Sequence, residues 1–318
     1  MGTIDVERYR GLGTREALGE TLVEIGDEYP NLMLLAADCL RSVRGAAFAS
    51  RFPKRSINFG IAEANMMMAA AGMATCGKIP VACTFGFLAA LRACEMIRTG
   101  ICYPGLNVKI AATSSGLASG TGGTTHHSTE DLAILRSMAN MTVLVPCDGV
   151  STTKALRAAI EFPGPVYLRL GRDREPNLYQ ADFEFRIGKG MTLREGLDVT
   201  VIAAGPMVSR ALVAADALEA RGISVRVIDM ITVKPIDRDA VLSAARETKM
   251  IITAEDHNIM GGLGSAVAEI LSDNPLVPLK RIGIKDTYCS FGPTSDVMNR
   301  YGMNSEAIVQ AALELAQT

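Results

Sequence analysis

The sequence predicts an α/β protein built from two doubly wound units, each a mostly parallel sheet flanked by helices. Three observations predict it. Short apolar runs of strand length alternate with longer stretches of helical period along most of the chain. The alternation breaks at a charged stretch over residues 171–190 and then restarts. The length of 318 residues suits two cores, at roughly 100–200 residues per domain.

In the first unit, residues 32–36 form a short apolar strand, and residues 62–76, rich in Ala and Met, a buried helix. A strand over 79–84 and a helix over 88–100 follow, then a strand over 107–112 and a Ser, Thr and Gly loop over 113–125. A helix over 130–137, a strand over 142–145, a helix over 150–161 and a strand over 166–170 complete the unit. Such alternation calls for parallel strands joined by helical crossovers. The segment after Gly171 holds Pro176 and Asn177 and lacks helical period, so it reads as a linker. The second unit has strands over 199–203, 225–228, 250–254 and 279–284, and helices over 209–220, 237–245, 264–271 and 305–316. The boundaries that follow are 1–175, a linker over 176–192, and a smaller unit over 193–318. No internal sequence repeat is visible.

Composition narrows the function. Apolar residues make up 48%, charged residues 21% and aromatics 5%, which excludes disordered and fibrous classes. With 32 basic against 34 acidic residues and no Lys/Arg cluster, neither a nucleic acid nor an anionic membrane is expected as partner. The seven cysteines form no C-x-x-C pair, so reduced thiols and a cytoplasmic protein are expected rather than disulfides or structural zinc. Residues 1–10 carry charges without an apolar core, unlike a leader. In the most apolar region, Glu63, Lys78 and Arg92 leave uncharged runs of 14 and 13 residues. A spanning helix needs about 20, so this region reads as core.

The candidate chemistry lies at strand ends, where α/β sheets bind ligands. Neither a P-loop nor a G-x-G-x-x-G after a strand is present. Gly261-Gly262-Leu263-Gly264 precedes a helix; it serves either an anion or a tight strand-to-helix turn. His126 and His127 are adjacent in the polar loop, and His257 follows Glu255 and Asp256 after a strand; none has metal-ligand spacing. Glu63 stands between Ile57-Asn58-Phe59-Gly60-Ile61-Ala62 and a Met- and Ala-rich run. A carboxylate there either caps a helix through its dipole or shares a proton with a bound base, and composition leaves both open.

Five segments, in order, resemble the transketolase family. They are Asn58–Met66, the Thr84-Phe85-Gly86-Phe87 turn with Arg92–Arg98, the loop from Gly120 to Leu132, Gly164–Arg172, and Thr253–Gly264. The resemblance implies a thiamine diphosphate (ThDP) pyrimidine-binding domain over 1–175 and a transketolase C-terminal-like domain over 193–318. It does not reach the family's pyrophosphate-binding domain, which carries a G-D-G motif that this sequence lacks. Cys147-Asp148-Gly149 with Asn177 imitates it in spacing, but reads as a strand-to-helix turn followed by linker. The chain thus resembles the C-terminal subunit of a split transketolase. That implies an N-terminal subunit carrying the pyrophosphate and Mg²⁺ sites, and self-association to an α2β2 assembly.

The resemblance also implies roles. Glu63 matches the carboxyl that activates the aminopyrimidine. Phe85 matches the aromatic packed against that ring, with Ile61, Phe87 and Leu88 beside it; Leu88 stands where a second aromatic is usual. His126 matches a histidine near the substrate oxygens, and Arg172 an arginine for the substrate phosphate, with Arg169 a secondary candidate on the same strand. His127 stands where Gln is common. Ser114 and Gly122 replace a substrate-contacting histidine and an aspartate that reads a sugar hydroxyl, which points to a modified rather than a usual pentose phosphate. The implied reaction is transfer of a two-carbon ketol unit between sugar phosphates or related modified sugars. The alternatives are the β subunit of a 2-oxoacid or acetoin dehydrogenase, and a non-catalytic assembly subunit.

Overall fold

Strands of a parallel sheet covered on both faces have no polar side to show to water, and their sequences are apolar throughout. In the computed structural model, which describes residues 11–180, 182–273 and 276–316, all five residues of β1 (Leu32–Ala36) are buried. The start of the chain over residues 1–10, read as unlike a leader, lies outside the described residues. The first half continues with β2 (Ser56–Asn58), β3 (Ile79–Phe85), β4 (Lys109–Thr113), β5 (Thr142–Leu144) and β6 (Val166–Arg169). The second half has β7 (Met191–Arg194), β8 (Val199–Ala203), β9 (Val225–Asp229), β10 (Thr232–Lys234), β11 (Met250–Asn258) and β12 (Leu279–Ile284).

Two sheets result, in the orders β10-β5-β6-β4-β3-β1-β2 and β12-β11-β8-β9-β7. All pairings are parallel except β10 with β5 and β7 with β9, which are antiparallel. Successive residues of one strand serve opposite faces. Leu34, Val81, Val201 and Ile252 enter one apolar cluster, and their neighbours Leu35, Ala82, Ile202 and Ile251 the other. Each cluster draws on both sheets, so the two halves share continuous apolar packing.

Several elements differ from the sequence reading. The helix expected over 88–100 is two π-helical turns, Leu88–Arg92 and Ile97–Cys102, flanking a short α segment at Cys94–Met96. The wider turns are made by Ala93 N–H bonding Leu88 O at 3.1 Å and Tyr103 N–H bonding Arg98 O at 2.9 Å, each five residues back. The strand expected over 250–254 runs on to Asn258, because its polar end finds partners inside the protein. Within the stretch read as linker, Met191 and Thr192 already belong to β7. β10 comes from the second half, yet it edges the first sheet. Helix Thr14–Ile25, unread in the sequence, packs on helix Gly149–Glu161. Among the described residues, no helix is long and apolar enough to cross a membrane.

Candidate active site

β1, β2, β3, β4, β5 and β6 all run the same way, so their C-terminal ends share one edge of the first sheet. The predicted site residues leave from that edge. β2 ends at Asn58, whose Oδ1 accepts from Asp38 N–H at 2.9 Å and Gly60 N–H at 3.1 Å. Gly60 takes a φ of +68°, which suits a residue without a Cβ. This turn delivers Glu63 as the first residue of helix Glu63–Thr75.

Glu63 is 1% exposed. Its Oε2 accepts no hydrogen bond, and the cation beside it, Arg92, places Nη1 at 3.7 Å while its own side chain is 58% exposed. The positive end of a helix dipole supports a carboxylate there. Even so, a buried carboxylate oxygen without a donor is costly unless a ligand supplies one.

Phe85 closes β3, and Phe87 follows two residues later, after Gly86. Their rings stack at 6.4 Å with 16° between planes, and Phe87 meets the His126 ring at 5.3 Å and 58°. Both phenylalanines are half-buried. Leu88, also half-buried, opens the first π-helical turn, and Ile61 is 76% exposed.

Next to these rings lies a cavity of about 110 Å³ lined by Phe85, Ser114, Gly122, His126 and Arg172, together with Arg15, Ser42 and Ser119. Five predicted residues thus meet in one wall. Glu63, Ile61, Phe87 and Leu88 stand outside that lining, with Phe87 joined to it through the two ring contacts. Ser114 follows β4 at a φ of +53°, a conformation rare for a residue with a side chain and enriched at ligand sites. His126 Nδ1 lies 3.0 Å from Thr125 Oγ1. His127 is 5% exposed with neither ring nitrogen hydrogen-bonded, and burial holds its pKa below the ordinary value.

Sequence reasoning missed Arg15, Ser42 and Ser119. Arg15 sits in the first turn of helix Thr14–Ile25 and donates from Nη1 to Ser42 O at 3.3 Å. Burial, together with the neighbouring Arg44 and Arg172 charges, lowers its pKa despite the Glu16 carboxylate. Two guanidinium groups, those of Arg15 and Arg172, therefore face one small cavity. The signal available was an Arg directly after a helix-starting Gly-Thr, within an element that was not read.

Arg169 does not join this wall. It is 3% exposed and bridges Asp131 Oδ2 at 2.9 Å and Asp256 Oδ1 at 2.5 Å. Burial works against its charge, but the two carboxylates outweigh it and hold its pKa above the ordinary value. The end of β11 is likewise internal. Glu255 accepts Leu263 N–H at 2.7 Å and Gly264 N–H at 2.8 Å, so the anion at the 261–264 turn is the protein's own carboxylate. His257 Nε2 accepts from Ala133 N–H at 3.3 Å, and burial pushes the imidazole pKa down to about 4. Asp148 caps helix Gly149–Glu161 and accepts from Leu178 and Tyr179 N–H, while Asn177 Oδ1 accepts from Gly11 N–H. Among the described residues, no three His, Cys, Asp or Glu side chains cluster as a metal site.

Three kinds of comparison with known proteins bear on the chain. The profile of the transketolase pyrimidine-binding domain matches residues 10–176, and that of the transketolase C-terminal domain residues 188–308. A putative transketolase C-terminal section from Methanocaldococcus jannaschii is 43% identical over 95% of this chain and 96% of its own length. A 6-deoxy-6-sulfo-D-fructose transketolase subunit, SqwH, from a Clostridium species is 38% identical over 95% and 94%. Among solved structures, a split-gene transketolase described as an inactive β4 tetramer superposes with a TM-score of 0.88 at 46% identity, covering 96% of this chain and 99% of that one.

Proposed function

The chain belongs to the transketolase family, and from that membership we propose that it is the C-terminal subunit of a two-chain, ThDP-dependent transketolase. It transfers a two-carbon ketol unit between sugar phosphates or related modified sugars. The observation that carries the reading is the Glu63 carboxyl, buried at the sheet edge where the strands of the matched domain end, with Oε2 unpartnered. Family membership implies ThDP, and the residues fit it: an orphaned buried acceptor and two stacked, half-buried aromatic rings lie at the same sheet edge.

When bound, ThDP supplies a nucleophilic thiazolium carbon and an electron sink for the ketol unit. Glu63 holds the pyrimidine through Oε2, where its carboxyl shares a proton with the ring. Phe85 and Phe87 give the ring apolar contact and exclude water, and Ile61 and Leu88 offer it further apolar surface. His126 faces the substrate cavity and holds or moves a proton at a substrate oxygen. Arg172 and Arg15 bind the terminal anion of the sugar, phosphate or another charged group, by paired N–H donors.

Ser114 and Gly122 present a hydroxyl and bare backbone to that cavity. A site without the histidine and aspartate usual at these positions no longer rejects sugars that lack the matching hydroxyls, which opens it to a modified sugar. The 6-deoxy-6-sulfo-D-fructose specificity in the name of the Clostridium relative supports that choice. The G-D-G pyrophosphate and Mg²⁺ ligands belong to an N-terminal partner subunit, in an α2β2 assembly. Seven unpaired thiols suit a cytoplasmic setting. The test is assembly with the N-terminal subunit, ThDP and Mg²⁺, assayed for ketol transfer from a panel of ketose phosphates and modified sugars. Transfer that needs both chains is the expected result. A complex that binds ThDP but transfers no ketol unit, or that strongly prefers xylulose 5-phosphate, overturns the reaction or the substrate class respectively.

A further inference from the structure

The loop that presents His126 has little structure of its own. It makes one antiparallel bridge, with Gly116 N–H to Ser128 O at 3.0 Å and Ser128 N–H to Gly116 O at 2.9 Å, and two short 3-10 turns at Gly120–Gly122 and Thr124–His126. A loop so rich in glycine carries a large conformational entropy that other contacts must remove.

Those contacts come from the second half of the chain, directly or through Arg169 of β6, on two sides. On the first, Arg169 donates from Nη2 to Ser128 O at 3.2 Å and to Asp256 O at 3.2 Å, while Nη1 is held by the Asp256 carboxylate. Gly116 backs directly onto that carboxylate, since a Cβ there would lie 1.8 Å from Asp256 Oδ2. Asn258 N–H then bonds Thr129 O at 2.9 Å. On the second side, Thr124 Oγ1 donates to Cys289 O at 2.6 Å and Gly292 N–H reaches Gly120 O at 3.4 Å. A Cβ on Gly123 would lie 3.1 Å from Phe291 Cβ.

We propose that the C-terminal domain positions the histidine loop, with Asp256 acting through Arg169 on one side and the Cys289 carbonyl acting through Thr124 on the other. None of these groups lines the cavity occupied by His126 except through the loop, so all are positioning residues. The inference rests on the transketolase reading for its kinetic consequence, and on the loop contacts alone for its structural one. Reacting groups displaced by about 1 Å lose up to about a hundredfold in rate, so an imidazole set from outside the domain that carries it is exposed to small losses at this seam.

The test uses the full chain, labelled with ¹⁵N at its three histidines, and the same chain assembled with the N-terminal subunit and ThDP. Thr124→Val removes one donor and keeps the side-chain shape; Asp256→Asn keeps the shape and removes the charge. In the free chain, both variants are expected to shift or split the His126 ring resonances while thermal unfolding stays cooperative. In the assembly, kcat at saturating substrate is expected to fall about tenfold or more, with ThDP affinity held within about twofold. His126 resonances that superimpose on those of the wild type in the Thr124→Val chain overturn the inference. So does an unchanged kcat for both variants in an assembly whose wild type turns over. A wild-type assembly that transfers no ketol unit strikes the parent reading instead, and the ring resonances still decide the positioning.

Discussion

Glu63 and Glu255 carry the same group in comparable settings: each is 1% exposed with its carboxyl at a helix N-terminus, Glu63 as the first residue of helix Glu63–Thr75 and Glu255 from within β11 against the start of helix Leu263–Ser272. Their hydrogen bonds differ. Glu255 gives both oxygens to the Leu263 and Gly264 N–H groups, so the helix dipole and two donors offset part of the cost of its burial. Glu63 has no donor on Oε2 and a half-exposed arginine at 3.7 Å. Burial alone therefore does not mark a functional carboxylate, nor does one unfilled oxygen. Asp131 Oδ1 and Asp229 Oδ1 are also buried without a donor, but their Oδ2 atoms accept from Tyr167 and Arg169 and from Cys147 and Tyr179, whereas Glu63 is met by the distant Arg92. The satisfied carboxylate serves the fold and the unsatisfied one is kept for a ligand.

The largest expected effect comes from removing the free carboxylate. Glu63→Gln in the assembled enzyme is expected to lower kcat by about a hundredfold or more, with the melting temperature of the isolated chain unchanged or raised. Steady-state turnover and thermal unfolding check both halves, and a variant that lost stability along with activity would erase the contrast with Glu255.

Glu255→Ala is expected to do the reverse: about 3 kcal/mol of stability lost in denaturant unfolding, with kcat per folded molecule kept. The contrast also has a pH signature. Burial, only partly offset by the two N–H donors, raises the Glu255 pKa from 4.5 to about 7. The folded group thus holds its proton longer than the unfolded one. Its contribution is present in full below pH 4.5 and is lost as the pH rises through about 7. Stability curves from pH 4 to 8 should accordingly show a shallower decline in Glu255→Gln than in the wild type.

A smaller effect sharpens the catalytic side. Arg172→Ala is expected to raise KM for an anionic sugar by about tenfold with a lesser change in kcat, because its charge-assisted bonds serve bound substrate and transition state alike. Equal losses for charged and uncharged substrates would remove the anion from the account.

The sequence carried the fold well wherever structure is local. Residues 32–36, 199–203 and 279–284 were bounded correctly because Asp38, Gly205 and Lys285, at or just past their ends, stop them locally. The π-helical turns around Ala93 escaped notice because periodicity cannot distinguish them from an α-helix with one residue inserted. β10 escaped because its partner, β5, lies 88 residues earlier at the Thr232–Leu144 pair and belongs to the other half's sheet. Within the site, residues following parallel strands converged as their strand-end positions implied. Arg169 was misplaced because spacing from Arg172 says which face a side chain takes, not whether Asp256, 87 residues on, claims it. Arg15 and Ser42 were missed with the elements that hold them.

The most direct test of the account is a structure of the two-chain assembly with ThDP bound. The account predicts Glu63 Oε2 at about 2.7–2.9 Å from the pyrimidine ring nitrogen, its open acceptor filled by the ligand. A Glu63 carboxyl still turned to Arg92, or facing solvent with the ring held by other groups, would contradict it.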